Sequence, residues 1–202
     1  MEEARQFDGN SWDDTHFVET ESVEGGLRWE VLNPPYCHEY APSSLRAFHG
    51  LMGLVRADFV DDVFIDFGSG KGRVILAAQE YPFRRIVGVE LQSGLCDIAR
   101  SNAHSWSGVR VCDNLEIVCS DAEEYAIPAD GTIFYMYNPF RGRVLRTVID
   151  RIEKSIIAHP RRGWLIINHL THFKCLNPAP RKMALVGSPR YEHDCGVFEI
   201  NP

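Results

Sequence analysis

The chain has 202 residues, enough for one well-buried domain on a prior of roughly 150 residues per domain. Apolar residues make up 45% and charged residues 24%, close to the globular average, which excludes a wholly disordered or fibrous chain. No stretch approaches the ~18 apolar residues that a membrane-crossing helix needs, and the start MEEARQFDGN lacks the basic flank and apolar block of a secretory signal.

The net charge of −7 is concentrated at one end, because residues 1–24 hold eight acids against Arg5 alone and the rest of the chain is neutral overall. An acidic leader poor in aliphatics predicts a mobile or loosely packed segment, so residues 1–35 are set apart as irregular and 36–202 as one domain. Six cysteines lie scattered without a CxxC pair, which argues against a zinc cage or a disulfide framework and for a reducing cytoplasm. From Asn138 onward 11 bases face 5 acids, too thin an excess for a phosphate-binding stripe, so nucleic acid is not indicated as a partner.

In chain order, Ser43 or Ser44 caps a helix whose apolar residues Leu45, Phe48, Met52 and Val55 recur at helical spacing. Val63 to Ile65 reads as a buried strand, ended by Gly68, Gly70 and Gly72, and a helix follows from Gly72 to about Glu80 before Pro82. Ile86 to Val89 is the second strand, and Leu91, Leu95, Ile98, Ala99 and Asn102 define one face of the next helix. Leu115 to Cys119 and Thr132 to Tyr137 are the third and fourth strands. Leu145, Val148, Ile149, Ile152 and Ile156 mark a long helix, and Leu165 to Ile167 a fifth strand. The runs KMALVG and GVFEI, joined through a Ser-Pro turn, make a closing hairpin. Strands alternating with helices predict an α/β fold: a doubly wound, mostly parallel sheet in a three-layer α/β/α arrangement, with the hairpin antiparallel.

The stretch FIDFGSGKGRV, residues 64–74, carries the most chemistry. A strand feeding a glycine turn and a helix sets backbone amides at the C-terminal sheet edge, where open α/β folds bind ligands. A phosphate loop needs GxxxxGK[ST], but Lys71 is followed by Gly72 and the earlier glycine is missing. A dinucleotide loop needs GxGxxG, whereas these glycines fall at 68, 70 and 72 behind Asp66. An ionised Asp66 repels pyrophosphate and suits a net-cationic zwitterion. Glu90 ends the second strand, where a carboxylate can accept both ribose hydroxyls, and Asp121 with the Ala122 amide ends the third, where an adenine edge can be read. Together these describe a site for S-adenosylmethionine.

Asp66 to Gly72, Glu90 and Asn138-Pro139-Phe140 resemble the class I S-adenosylmethionine-dependent methyltransferases, whose first motif is [DE]xGxGxG, whose second strand ends in an acid and whose fourth ends in a polar-Pro-aromatic tip. The resemblance implies a seven-stranded sheet, S-adenosylmethionine as cofactor, and Asp66, Gly68, Ser69, Gly70, Gly72, Glu90, Leu91, Asp121, Ala122 and Asn138 as the residues that hold it. It implies a methyl acceptor as partner: a nitrogen, or as second choice an oxygen, of a small molecule or a protein side chain. A neutral amine needs positioning more than a base, so Asn138 is assigned to orient the acceptor, Phe140 to wall or stack on it, and Tyr40 to cover the methionine end. The base-methylating branch carries [DNS]PP[YF], and the single proline here argues against a nucleic-acid base. His169 and His172 follow the fifth strand; as metal ligands they lack a third partner, and as bases either is tuned near neutral pH. The alternatives are a noncatalytic cofactor-binding module and a nicotinamide-dependent oxidoreductase.

Overall fold

Apolar alternation along the central strands sorts the core into two layers. In the computed structural model, which describes residues 11–21, 40–176, 180, 182–191 and 193–202, Val63, Ile65 and Phe67 face one cluster while Phe64 faces the other. These lie on β1 (Val63–Phe67), an interior strand of a seven-stranded sheet with β2 (Arg85–Glu90), β3 (Leu115–Cys119), β4 (Gly131–Tyr137), β5 (Gly163–Asn168), β6 (Met183–Gly187) and β7 (Cys195–Ile200). The order is β3-β2-β1-β4-β5-β7-β6, with the first five strands parallel and β7 antiparallel to both β5 and β6. β1 and β2 are buried along nearly their whole length, as strands covered on both faces must be.

The helices are α1 (Trp12–His16), α2 (Leu45–Met52), α3 (Arg73–Ala78), α4 (Ser93–Ser105) and α5 (Gly142–Ala158). On one face α5 packs Val148, Ile149, Ile152 and Ile156 against Ile65, Phe134 and Leu165. On the other, Phe48 of α2 and Ile75 of α3 cover Phe64, Tyr135 and Ile166. Ser44 caps α2 by accepting the Ala47 amide, as its sequence predicts, but the helix stops at Met52 and α3 stops at Ala78, each shorter than its apolar spacing suggests. The closing hairpin inserts β7 between β5 and β6, so its loop returns to the C-terminal tip of β5.

The acidic leader departs from expectation over residues 11–21. Ser11 and Asp14 form a reciprocal capping box for α1, and Phe17 ends the helix in a left-handed conformation. The segment docks through ion pairs of Asp13 and Glu21 to Arg73 and of Glu19 to Lys71. Trp12 packs at a tilt against Trp106 and His16 stacks on it, with ring centroids 5.2 and 4.6 Å apart. Like charges that would repel one another are matched by bases of the glycine loop and α3, which composition alone does not reveal. The expected 35/36 boundary falls outside the described residues. No described helix is long and apolar enough to cross a membrane.

Candidate active site

β1 runs into Gly68, Gly70 and Gly72 with φ of 76°, 55° and 90°, values L side chains rarely adopt. The loop is tied to β2: the Gly68 and Ser69 amides donate to the Val89 carbonyl at 2.8 and 3.1 Å, and the Gly70 amide donates to Glu90 Oε2 at 2.9 Å. A side chain at Gly68 would overlap Pro139, and one at Gly70 would overlap the ring of Tyr40. The bare backbone is therefore required by its neighbours as well as by φ. Ser69 Oγ is buried without a hydrogen-bond partner.

Two acids sit beneath this loop. Asp66 is 3% and Glu90 7% exposed. Burial pushes the Asp66 carboxyl well above the usual carboxylate range, and the nearby Glu90 adds to the rise. Burial also raises Glu90, opposed by the amides of Gln92, Gly70 and Leu91 that donate to it. Such a pair disfavours anions and gains from a cationic ligand. Leu91, beside Glu90, is 39% exposed, Ala122 is buried, and Asp121 is half-buried with Oδ1 accepting the Glu123 amide at 2.8 Å.

The β4 tip lies beside β1, with Asp66 paired to Tyr135 in register. Asn138 follows in a left-handed conformation at φ 46°, and its Oδ1 is buried without a hydrogen-bond partner. Phe140 lies elsewhere than its assigned role requires: after the turn at Asn138 it enters the core beside Val144 and Leu145. Tyr40 lies over Gly70, and its hydroxyl donates to the Thr20 carbonyl, fastening the docked leader. Burial and nearby acids, only partly offset by Arg73, raise its pKa.

A cavity of about 470 Å³ opens at Tyr137, the end of β4. Tyr137, Asn168 and His193 line one side, Pro42, Ser43 and Arg73 another. Asn168 is fixed in the floor, donating to Tyr135 Oη at 3.2 Å while its Oδ1 accepts the Cys195 thiol at 3.1 Å. The His193 ring stacks on His169 at 4.0 Å and on Tyr137 at 6.4 Å. His169 holds φ 90°, a costly conformation for a residue with a side chain. His172 begins the short 3₁₀ turn Phe173–Cys175. Sequence reasoning found His169 but not His193, Asn168 or Tyr137; for Asn168 and Tyr137 the signal available was their position at a strand end on the ligand-bearing edge. Among the described residues no group of three or more His, Cys, Asp or Glu is arranged to hold a metal ion.

No family model and no curated protein matches the sequence. Solved structures do match its fold. An RNA methyltransferase from Salinibacter ruber, solved with S-adenosyl-L-homocysteine, is 22% identical over 80% of this chain and 93% of its own, with a TM-score of 0.52. The Escherichia coli protein yhhF, a candidate methyltransferase by its name, is 16% identical over 79% of this chain and 89% of its own, with a TM-score of 0.62. Precorrin 8w decarboxylase of Methanobacterium thermoautotrophicum is 17% identical over 80% and 92%, with a TM-score of 0.54. The seven-stranded order with its antiparallel β7 and these three likenesses together establish that the chain has the class I methyltransferase fold.

Proposed function

We propose that the protein is an S-adenosylmethionine-dependent methyltransferase acting on a nitrogen or oxygen of a small molecule or protein side chain. The observation that carries this reading is one cradle at the β1/β4 edge. It combines a glycine loop whose neighbours leave no room for side chains, two buried acids raised by burial, and the unpartnered Asn138 Oδ1. A pyrophosphate would meet repulsion there; a ligand carrying ammonium and sulfonium charges would relieve the cost of the acids. Asp66 and the loop amides would hold the amino-acid end, Glu90 the ribose, and Asp121 with Ala122 the adenine. The cofactor supplies an electrophilic methyl group.

The chain's own part is positioning and exclusion of water. Tyr40 and residues 11–21 cover the loop, and Asn138 offers its carboxamide oxygen to a hydrogen of the acceptor. The cavity lined by Tyr137, the residue before Asn138, would give the acceptor a place.

Thermal unfolding with added ligand tests the reading. S-adenosylhomocysteine at a hundredfold its dissociation constant should add about 2.7 kcal/mol of stability, with no shift from nicotinamide cofactors. The reverse result removes the proposal. Labelled-methyl transfer into small-molecule, protein and nucleic-acid fractions of an extract then identifies the acceptor. Binding without labelling of any fraction favours a noncatalytic module.

A further inference from the structure

We infer that Cys96 and Cys119 form an oxidation site beside Glu90: a peroxide closes the two thiols to a disulfide, and the closed form binds S-adenosylmethionine more weakly. The effect on cofactor binding rests on the methyltransferase reading; the closure does not. The two cysteines come from different elements and meet at one turn. Cys119 is the last residue of β3 and pairs in register with Glu90, the last residue of β2. Cys96 lies in the first turn of α4, its Sγ 3.5 Å from the Glu90 carbonyl oxygen. The Cys119 Sγ lies 3.7 Å from the next carbonyl oxygen, that of Leu91. Both sulfurs thus rest on one short piece of backbone, and the thiols are within hydrogen-bonding reach of each other. Cys112, Cys175 and Cys195 point instead to oxygens of Asn114, Thr171 and Asn168.

The chemistry divides between an open sulfur and a buried one. Cys119 is exposed and meets hydrogen peroxide first. Its sulfur takes one oxygen as the O–O bond breaks, leaving a sulfenic acid and one water. The buried Cys96 sulfur then attacks that sulfur. The hydroxide it displaces leaves with the Cys96 proton as a second water, so two thiols are oxidised and one peroxide is reduced. Burial first, then Cys119 and Glu90, push the Cys96 thiol up to about 12, which keeps it from reacting first. The bond reaches the site through Glu90. Closure removes both thiol hydrogens from these contacts and draws the start of α4 toward the end of β3. The Cys96 amide donates to the Gln92 carbonyl at 3.0 Å, and the Gln92 amide donates to Glu90 Oε1 at 2.9 Å. A shift of Cys96 is therefore passed through Gln92 to the carboxylate proposed for the ribose. In a reducing compartment such a bond is transient and reports redox state.

Hydrogen peroxide followed by dithiothreitol tests this on the full chain. Peroxide should lower the intact mass by that of two hydrogens, and peptide mapping should place the bond between Cys96 and Cys119. The oxidised form should bind S-adenosylhomocysteine about tenfold or more weakly, and dithiothreitol should restore the affinity. By linkage, S-adenosylhomocysteine should make the pair harder to oxidise in a glutathione buffer, a measurement that needs no variant. Cys119→Ser should match reduced wild type in affinity and keep that affinity after peroxide. Cys175→Ser, also at an exposed position, should respond as wild type does. No disulfide, a bond to Cys37 or Cys175 instead, unchanged affinity after mapped closure, or a peroxide response that survives in Cys119→Ser each overturns the inference. Failure of reduced wild type to bind S-adenosylhomocysteine would instead strike the methyltransferase reading, and with it the effect on binding, while the mapped bond still decides the closure.

Discussion

The Glu90 carboxylate accepts the Gly70 amide at 2.9 Å through one oxygen and the Gln92 amide at 2.9 Å through the other, so the residue proposed to bind ribose also pins the glycine loop to β2. Glu90→Ala should therefore do two things. It should weaken S-adenosylhomocysteine binding by about 1.5 to 3 kcal/mol, the range for hydrogen bonds to a charged group. It should also strand the amides that donate to it and lower stability by about 1 to 3 kcal/mol, which for a chain of this size is several degrees in Tm. Calorimetry and thermal unfolding of the same variant separate the two effects. Unchanged affinity would remove Glu90 from the cofactor site, and unchanged Tm would remove its stapling role.

Asp66 gives the opposite balance of stability and function. Its folded-state pKa is raised by burial first and by Glu90 second. The folded state thus holds this proton more tightly than the unfolded chain does, and stability falls as pH rises from the unfolded pKa through the folded one. Asp66→Asn removes the ionisation. The variant should be more stable than wild type near pH 7, with the difference shrinking toward about pH 4. Its affinity for S-adenosylmethionine should fall, because the charge that opposes folding is the one that attracts the cation. Urea unfolding across this pH range checks the first part: a wild-type curve that rises with pH relative to Asp66→Asn contradicts it.

Docking of residues 11–21 depends unequally on its ion pairs. Glu19 is 51% exposed at its side chain, so Glu19→Gln should cost well under about 1 kcal/mol. Asp13 is 8% exposed and its carboxylate accepts from the Thr20 amide and hydroxyl, the Glu21 amide and Arg73 Nη1. Arg73→Met keeps an apolar stem but removes the guanidinium that lies over Trp12 and leaves that carboxylate without its counter-charge, a loss of about 3 kcal/mol or more for a buried pair. Because the segment can undock by itself, the expected signature is local. Hydrogen exchange at the Val18 and Thr20 amides accelerates while β1 and β4 stay protected. Global unfolding at the same midpoint with unaltered exchange at Val18 would show that Arg73 does not hold the segment.

How much of this was legible in the sequence follows the range of the interactions concerned. β1, β2 and β5 are apolar runs covered on both faces, so their existence could be read from residues such as Ile65, Val87 and Ile166 with bounds off by only one or two positions. The glycine loop, Glu90 and Asn138 could be placed on one edge because strand-end position is a local property. The partners of Asp13, Glu19 and Glu21 could not, since Lys71 and Arg73 lie some fifty residues away and an unpaired acidic run reads as solvated. His193 escaped for a similar reason. Only the insertion of β7 beside β5 brings its loop over Asn168, and nothing local to residues 188–194 states that order. Phe140 was misread because the left-handed φ of Asn138 redirects the chain, which turns the aromatic inward.

Asn138 separates catalysis from cofactor binding. Its Oδ1 is buried with no hydrogen-bond partner, a state that costs about 1 to 3 kcal/mol and that an acceptor N–H or O–H would relieve. Pro139 packs against Gly68, so the tip is held rigidly over the loop. A simple alanine substitution confounds two effects, because at φ 46° alanine also adds backbone strain of about 1 to 2 kcal/mol. Asn138→Gly removes the carboxamide without that strain. Both variants should keep most of their affinity for S-adenosylhomocysteine, and both should transfer methyl ~10²-fold more slowly to whichever extract fraction wild type labels, as befits loss of one well-placed polar group. If only Asn138→Ala is slow, the cause is strain at the turn and the carboxamide orients nothing. If Asn138→Gly loses cofactor affinity and turnover in parallel, the residue belongs with Asp66 and Glu90 in holding the cofactor. Normal turnover in Asn138→Gly would reduce Asn138-Pro139 to a strand-ending turn.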